Sequence, residues 1–138
     1  MTILVIDGQG GGIGKRLIEE LVKKTPVDVQ IIAVGTNSVA TSAMLRAGAT
    51  AAATGENPVL VNCANAQVIA GPMGIALANA MYGEITPAMA NAVGASSAQR
   101  VLIPVEKCNT HVAGVAQLPL AQYIESAVQT ILNIVAKG

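Results

Sequence analysis

One stretch near the start of the chain limits what it can fold into. The apolar run Val5-Ile6-Asp7 breaks into Gly8-Gln9-Gly10-Gly11-Gly12-Ile13-Gly14 and then into the helix-forming Lys15-Arg16-Leu17-Ile18-Glu19-Glu20-Leu21. A continuous hydrophobic strand suits a parallel sheet that is covered on both faces. Glycine lets the backbone turn sharply from strand to helix and lets a ligand approach with no Cβ in the way. The unpaired N–H groups and the dipole at the start of the helix favour an anion there. The stretch therefore predicts a strand–turn–helix unit whose Gly8, Gln9, Gly10, Gly11, Gly12, Ile13 and Gly14 hold a phosphate-bearing ligand. A plain tight turn is the alternative. Asp7 closes the strand, where it either accepts N–H bonds from the glycine loop or holds a cation beside a phosphate.

The remaining pattern alternates strand and helix. The first helix spans about 12–24, with Ile13, Leu17, Ile18, Leu21 and Val22 on one stripe and the pairs Glu19/Lys23 and Glu20/Lys24 opposite. Further strands are expected over 27–34, 49–53, 67–70 and 101–105, with a short one at 112–115. Helices are expected from 38 to about 47, from an Asn57 cap and Pro58 to about 66, from 75 to about 83, from a Thr86 cap and Pro87 onward, and from about 119 to 136. This order predicts an α/β fold: a doubly wound, mostly parallel sheet of Rossmann-like topology in a single three-layer domain spanning 1–138. Ligands of such sheets lie at the carboxyl ends of the strands.

Composition excludes several function classes. Eight Lys plus Arg balance eight Asp plus Glu, and 1% of the chain is aromatic. Nucleic acid is not expected, because there is neither a basic footprint nor a stacking platform. The uncharged run 57–82 is interrupted by Asn57, Asn62, Asn65, Gln67, Gly71-Pro72 and Asn79, so no membrane span is expected. The first residues enter a strand directly, without the basic start and cleavage site of a signal peptide, and Cys63 and Cys108 make no disulfide framework; a cytoplasmic protein is expected. With 52% hydrophobic and only 12% charged residues, helix faces of Ala, Met, Ile and Val between Pro72 and Ala95 are expected to pair in a homo-oligomer, most simply a dimer, with Met73, Met81 and Met89 as adaptable contacts.

Three further groups sit at the expected ligand edge, and Glu84 is placed apart from it. Thr36, Asn37 and Ser38 follow the second strand, where an NAD protein places an acid for the ribose 2′-OH; with hydroxyl and amide groups instead, the turn leans toward NADP or reads as an Asn/Ser helix cap. Gly71, Pro72, Met73 and Gly74 form a second glycine turn, either another wall of the cleft or a tight connection. Lys107, Cys108 and His111 are the densest cluster of reactive side chains and the candidates for catalysis, against a solvated loop; two of the roughly four ligands a metal site wants are present, so no metal is expected. Glu84, the lone acid of its region, is expected to support the helix that starts at Thr86.

The spacing Gly8-x-x-x-Gly12-Ile13-Gly14 resembles the glycine motif of short-chain dehydrogenase/reductases, with Asp7 where that family has a small or hydroxylated residue. The resemblance covers the first strand–helix unit and implies that Gly8, Gly12, Ile13 and Gly14 contact a nucleotide. That family's Tyr-x-x-x-Lys pair has no counterpart, since Tyr82 is followed four residues later by Thr86 and Tyr123 by Ala127. Taken with Gly83-Glu84-Ile85-Thr86-Pro87-Ala88-Met89-Ala90 and Leu102-Ile103-Pro104-Val105, the whole chain resembles a family of small bacterial proteins of unknown function with a Rossmann-like fold. The resulting expectation is a nucleotide- or dinucleotide-binding module, a sensor or a subunit. The alternatives are a small NADP-linked or Cys/His-dependent enzyme and a structural oligomer without ligand.

Overall fold

Strand β1 (Thr2–Asp7) is the middle of the sheet, and Ile3, Leu4, Val5 and Ile6 are each at most 1% exposed in the computed structural model, which describes residues 1–105 and 109–138. Alternate side chains of a strand point to opposite faces, so this run must be covered twice. Ile3 and Val5 pack under α1 (Gly12–Lys24), α2 (Ser38–Arg46) and α5 (Leu120–Lys137). Leu4 and Ile6 pack under α3 (Glu56–Cys63) and α4 (Pro87–Ala95). Burying each such aliphatic side chain stabilises by about 1.5–3 kcal/mol.

The other strands are β2 (Gln30–Gly35), β3 (Ala51–Thr54), β4 (Val68–Pro72) and β5 (Gln99–Ile103). They pair parallel throughout in the order β3-β2-β1-β4-β5. The register sets Asp7 beside Gly35 and Val5 beside Ala70. The chain is thus a doubly wound α/β domain. From β1 the winding goes outward to β2 and β3, then returns to β4 on the other side. The loops above β1 and β4 therefore part, and a crevice opens at that switch point.

Several boundaries differ from the sequence expectation. β2 starts at Gln30, because Val29 N–H closes a turn onto the Pro26 carbonyl (3.0 Å) and Val27 stands in solvent. Helix α3 begins one residue before Asn57, capped by Gly55 at φ +107°. Pro58 then lies in the first turn, where its missing N–H would have had no partner anyway.

The expected helix 75–83 is replaced by a 3₁₀ turn (Met73–Ala76) and a loop. Asn79, Met81, Tyr82 and Gly83 are left-handed there (φ +67°, +58°, +57° and +90°), which ends any right-handed helix. Asn79 N–H bonds the Ile85 carbonyl at 2.7 Å and buried Ile85 anchors the loop. The expected strand 112–115 is absent: Gly114 takes φ +80°, and Val115 N–H turns back to the Val112 carbonyl (3.4 Å). Thr86 does cap α4, its hydroxyl accepting Met89 N–H at 3.1 Å. Among the described residues no helix is long and apolar enough to cross a membrane.

Candidate functional site

Asp7 shapes the loop above β1. Its Oδ1 accepts Gly8 N–H at 2.8 Å and its Oδ2 accepts Gly14 N–H at 2.7 Å, with a further backbone bond from Ile13. Burial pushes its pKa up, and the three N–H groups hold it back. Of the two roles open to Asp7, the loop-bracing one is the one built here. It also draws the N–H groups of Ile13 and Gly14 inward, so they do not face a ligand.

The glycines divide by what a Cβ would meet. At Gly8 it would lie 2.6 Å from Met81 Sδ and 2.7 Å from Thr36 Oγ1. At Gly14 it would lie 2.5 Å from Met44 Sδ, and at Gly11, with φ +72°, 2.8 Å from Ala40 Cα. These three serve internal packing. Gly10 and Gly12 have nothing within 4 Å of a Cβ and no left-handed φ. Neither the fold nor the backbone conformation requires glycine at these two positions.

Gly10 and Gly12 face a cleft of about 790 Å³, within the size range of small-molecule sites. Its floor is Asp7 and the loop 8–13. Arg16, in the second turn of α1, and Met73, beyond β4, flank it. The far wall is Pro104 and Val105 after β5, the segment 110–118 in part, and Leu120 and Tyr123 of α5. Tyr123 braces that wall: its hydroxyl donates to the Ala116 carbonyl (2.5 Å) and accepts Leu118 N–H (3.2 Å). The cleft sits at the β1/β4 switch point, the place where open α/β sheets that bind ligands hold them.

Thr36 and Asn37 lie on the other side of the loop and do not line this cleft. Both are turned toward Glu84. Glu84 Oε1 accepts Thr36 Oγ1–H at 2.5 Å, Asn37 Nδ2–H at 2.8 Å and Gln9 N–H at 2.9 Å. Burial pushes the Glu84 pKa up, but these three bonds outweigh it and leave the carboxyl below its ordinary range. Asn37 also caps α2, its Oδ1 accepting Ala40 N–H (2.9 Å), while Ser38 is an exposed first residue of that helix. Glu84 therefore has a different role from the expected support of α4: Thr86 caps that helix, and Glu84 joins β2 to the glycine loop.

The second glycine turn brings only Met73 to the cleft. Gly71 and Pro72 belong to β4, where a Cβ on Gly71 would collide with the Ile6 carbonyl oxygen, and Gly74 is buried. Lys107 and Cys108 lie outside the described residues. His111 is exposed and is not part of the cleft lining, unlike its neighbours Thr110 and Val112. Cys63 is buried in the core and its thiol is pushed up to about 11, which makes it unreactive. Among the described residues no three His, Cys, Asp or Glu side chains gather as a metal site would need.

Three groups of the site stand outside the sequence expectations: Arg16, the wall 112–118 and Glu84 as a partner of β2. Arg16 carries no local signal of its own, since it lies in the second turn of α1 beside Lys15. The other two depend on long-range packing.

The chain belongs to a family described as a domain of unknown function (DUF3842), whose model matches residues 2–136. No match was found among curated proteins.

Proposed function

We propose that the chain is a nucleotide-binding module, with a phosphate-bearing nucleotide laid across Gly10–Gly12 and into the cleft beside β4 and β5. The observation that carries this reading is the pair Gly10 and Gly12, glycines with open space where a Cβ would stand and with no left-handed backbone to require them. A ligand pressed against the backbone explains them. Their N–H groups bond nothing among the described residues, whereas those of Gly8, Gly11 and Gly14 are engaged within the protein. Arg16 makes no ion pair among the described residues and lies on the cleft; a diphosphate there would give it a partner.

The module is a sensor or lends its site to a partner. The cleft's tyrosine, Tyr123, has its hydroxyl held by backbone and no lysine four residues on, so a reductase-type proton transfer is not part of the reading. A homo-oligomer belongs to the same proposal on the ground of the 12% charged residues, and sedimentation at micromolar concentration tests it. The ligand reading is tested by a thermal-shift screen over NAD, NADP, FMN, ATP and CoA. At least one is expected to raise the melting temperature in proportion to its concentration; no shift with any of them removes the reading.

A further inference from the structure

The acid that β2 lacks is delivered from elsewhere in the chain. Gly35-Thr36-Asn37-Ser38 carries no carboxylate, yet Glu84, from the loop before α4, is fixed against Thr36, Asn37 and the backbone of Gln9. We infer that Glu84 reads the ribose of the bound nucleotide, accepting hydrogen bonds from a free 2′,3′-diol and rejecting a 2′-phosphate. This rests on the nucleotide reading above and names the ligand class more narrowly.

Three observations support the assignment. The first is orientation: all three donors hold Oε1, while Oε2 accepts nothing from the described residues. The carboxylate is thus immobilised with one oxygen left to accept. The second is place. Gln9 is the loop residue next to Gly10, so the oxygen stands at the β2 end of the path that a dinucleotide takes over a glycine loop. The third is that the loop tolerates unfavourable backbone to put Glu84 there. Asn79, Met81 and Tyr82 are all left-handed, and the segment is pinned by Asn79 N–H on the Ile85 carbonyl, Gly83 N–H on the Asn79 carbonyl and Glu84 N–H on the Met81 carbonyl. Strained backbone kept by its surroundings is a mark of positions that serve a site.

The chemistry sets the selectivity. A carboxylate accepts from hydroxyls but repels a phosphate ester, and neither 35–38 nor 77–86 contains a Lys or Arg to compensate the added charge. The preference on this inference is for NAD-like ligands, the reverse of the NADP leaning drawn from the β2 turn alone, because that leaning rested on finding no acid at the turn.

The test is calorimetric titration of NAD and NADP into the wild type, Glu84→Gln, Thr36→Val and Gly12→Val. The wild type is expected to bind NAD about tenfold or more tightly than NADP, the size of one charged hydrogen bond. Glu84→Gln is expected to bring the two within about threefold of each other, and Thr36→Val, which only loosens the carboxylate, to narrow the gap partway. If Glu84→Gln does not fold, Thr36→Val decides. A wild type that prefers NADP overturns the inference. So does a ratio unchanged by both variants, or a Glu84→Gln that binds both ligands more tightly in equal measure, which would make Glu84 an internal plug. Where binding is present and lost in Gly12→Val, each of these results leaves the nucleotide reading standing. If neither ligand binds the wild type, that reading fails for dinucleotides and the inference falls with it.

Discussion

Thr36 and Glu84, 48 residues apart in sequence, meet in a hydrogen bond of 2.5 Å that ties the end of β2 to the loop before α4. With Gln9 and Asn37 on the same oxygen, this contact joins three segments above the sheet. Each bond favours the ionised carboxylate, and the folded pKa lies below the ordinary 4.5.

The contact has a defined pH signature. A carboxyl whose folded pKa is depressed contributes stability that is present above its unfolded value and lost as pH falls through the folded one. The wild type is therefore expected to be more stable than Glu84→Gln near neutrality, with the difference shrinking below pH 4.5. Urea denaturation of both proteins across that range checks it; a gap that stays constant would mean that the ionised form is not the one held.

Asp7 has the opposite sign. Its folded pKa is raised above 3.8, so the unfolded chain releases the proton first and stability falls as pH rises from 3.8 through the folded value, then levels. Asp7→Asn removes that slope. It also sets an amide donor against the N–H of Gly8 or Gly14, a loss of about 1–3 kcal/mol for a buried group left unpaired. Chemical denaturation is expected to show the variant less stable throughout, with the gap narrowing as pH rises through the window; equal stability would remove Asp7 as the brace of the loop.

β1, α1 and the Thr86 cap are legible in the sequence because each depends on neighbours in the chain: an unbroken apolar run, a 3.6-residue stripe, a hydroxyl before proline. The fold class follows from their alternation with the later strands. The glycine loop is legible as a whole but not in its division, since Gly8, Gly11 and Gly14 answer to Met81, Ala40 and Met44, which arrive from distant segments. The stretch 75–83 reads as helix by composition, and only Asn79 and Gly83 hint at the left-handed turns that deliver Glu84. The wall 112–118 carries apolar residues without strand pairing, held by Tyr123, and nothing local marks it as part of a site.

Met89 shows the same limit. Expected at a subunit contact, it is 4% exposed and packed in the core beneath α4. Met89→Ala is expected to cost about 2–5 kcal/mol, as for other large-to-small core changes, and Met89→Lys to unfold the domain. A denaturation curve showing Met89→Lys folded as stably as the wild type would contradict this packing.

Tyr123→Phe tests the far wall of the cleft. Losing the hydroxyl frees the Ala116 carbonyl and the Leu118 N–H together. Hydrogen exchange is expected to speed up at Leu118 and its neighbours by roughly tenfold, the equivalent of about one net hydrogen bond, with the sheet unaffected. Unchanged exchange there would show that the wall is held by packing alone.

Gly12 is the position where a side chain has room in the protein but is expected to clash with a bound nucleotide. Titration of NAD into the wild type and Gly12→Val, with melting temperatures for both, tests nucleotide binding there most directly. Saturable binding by the wild type is expected, with a loss of at least about tenfold in the variant, the size of about 1.4 kcal/mol, and melting temperatures that nearly coincide. Equal affinity in the two proteins, or no binding by the wild type, would contradict it.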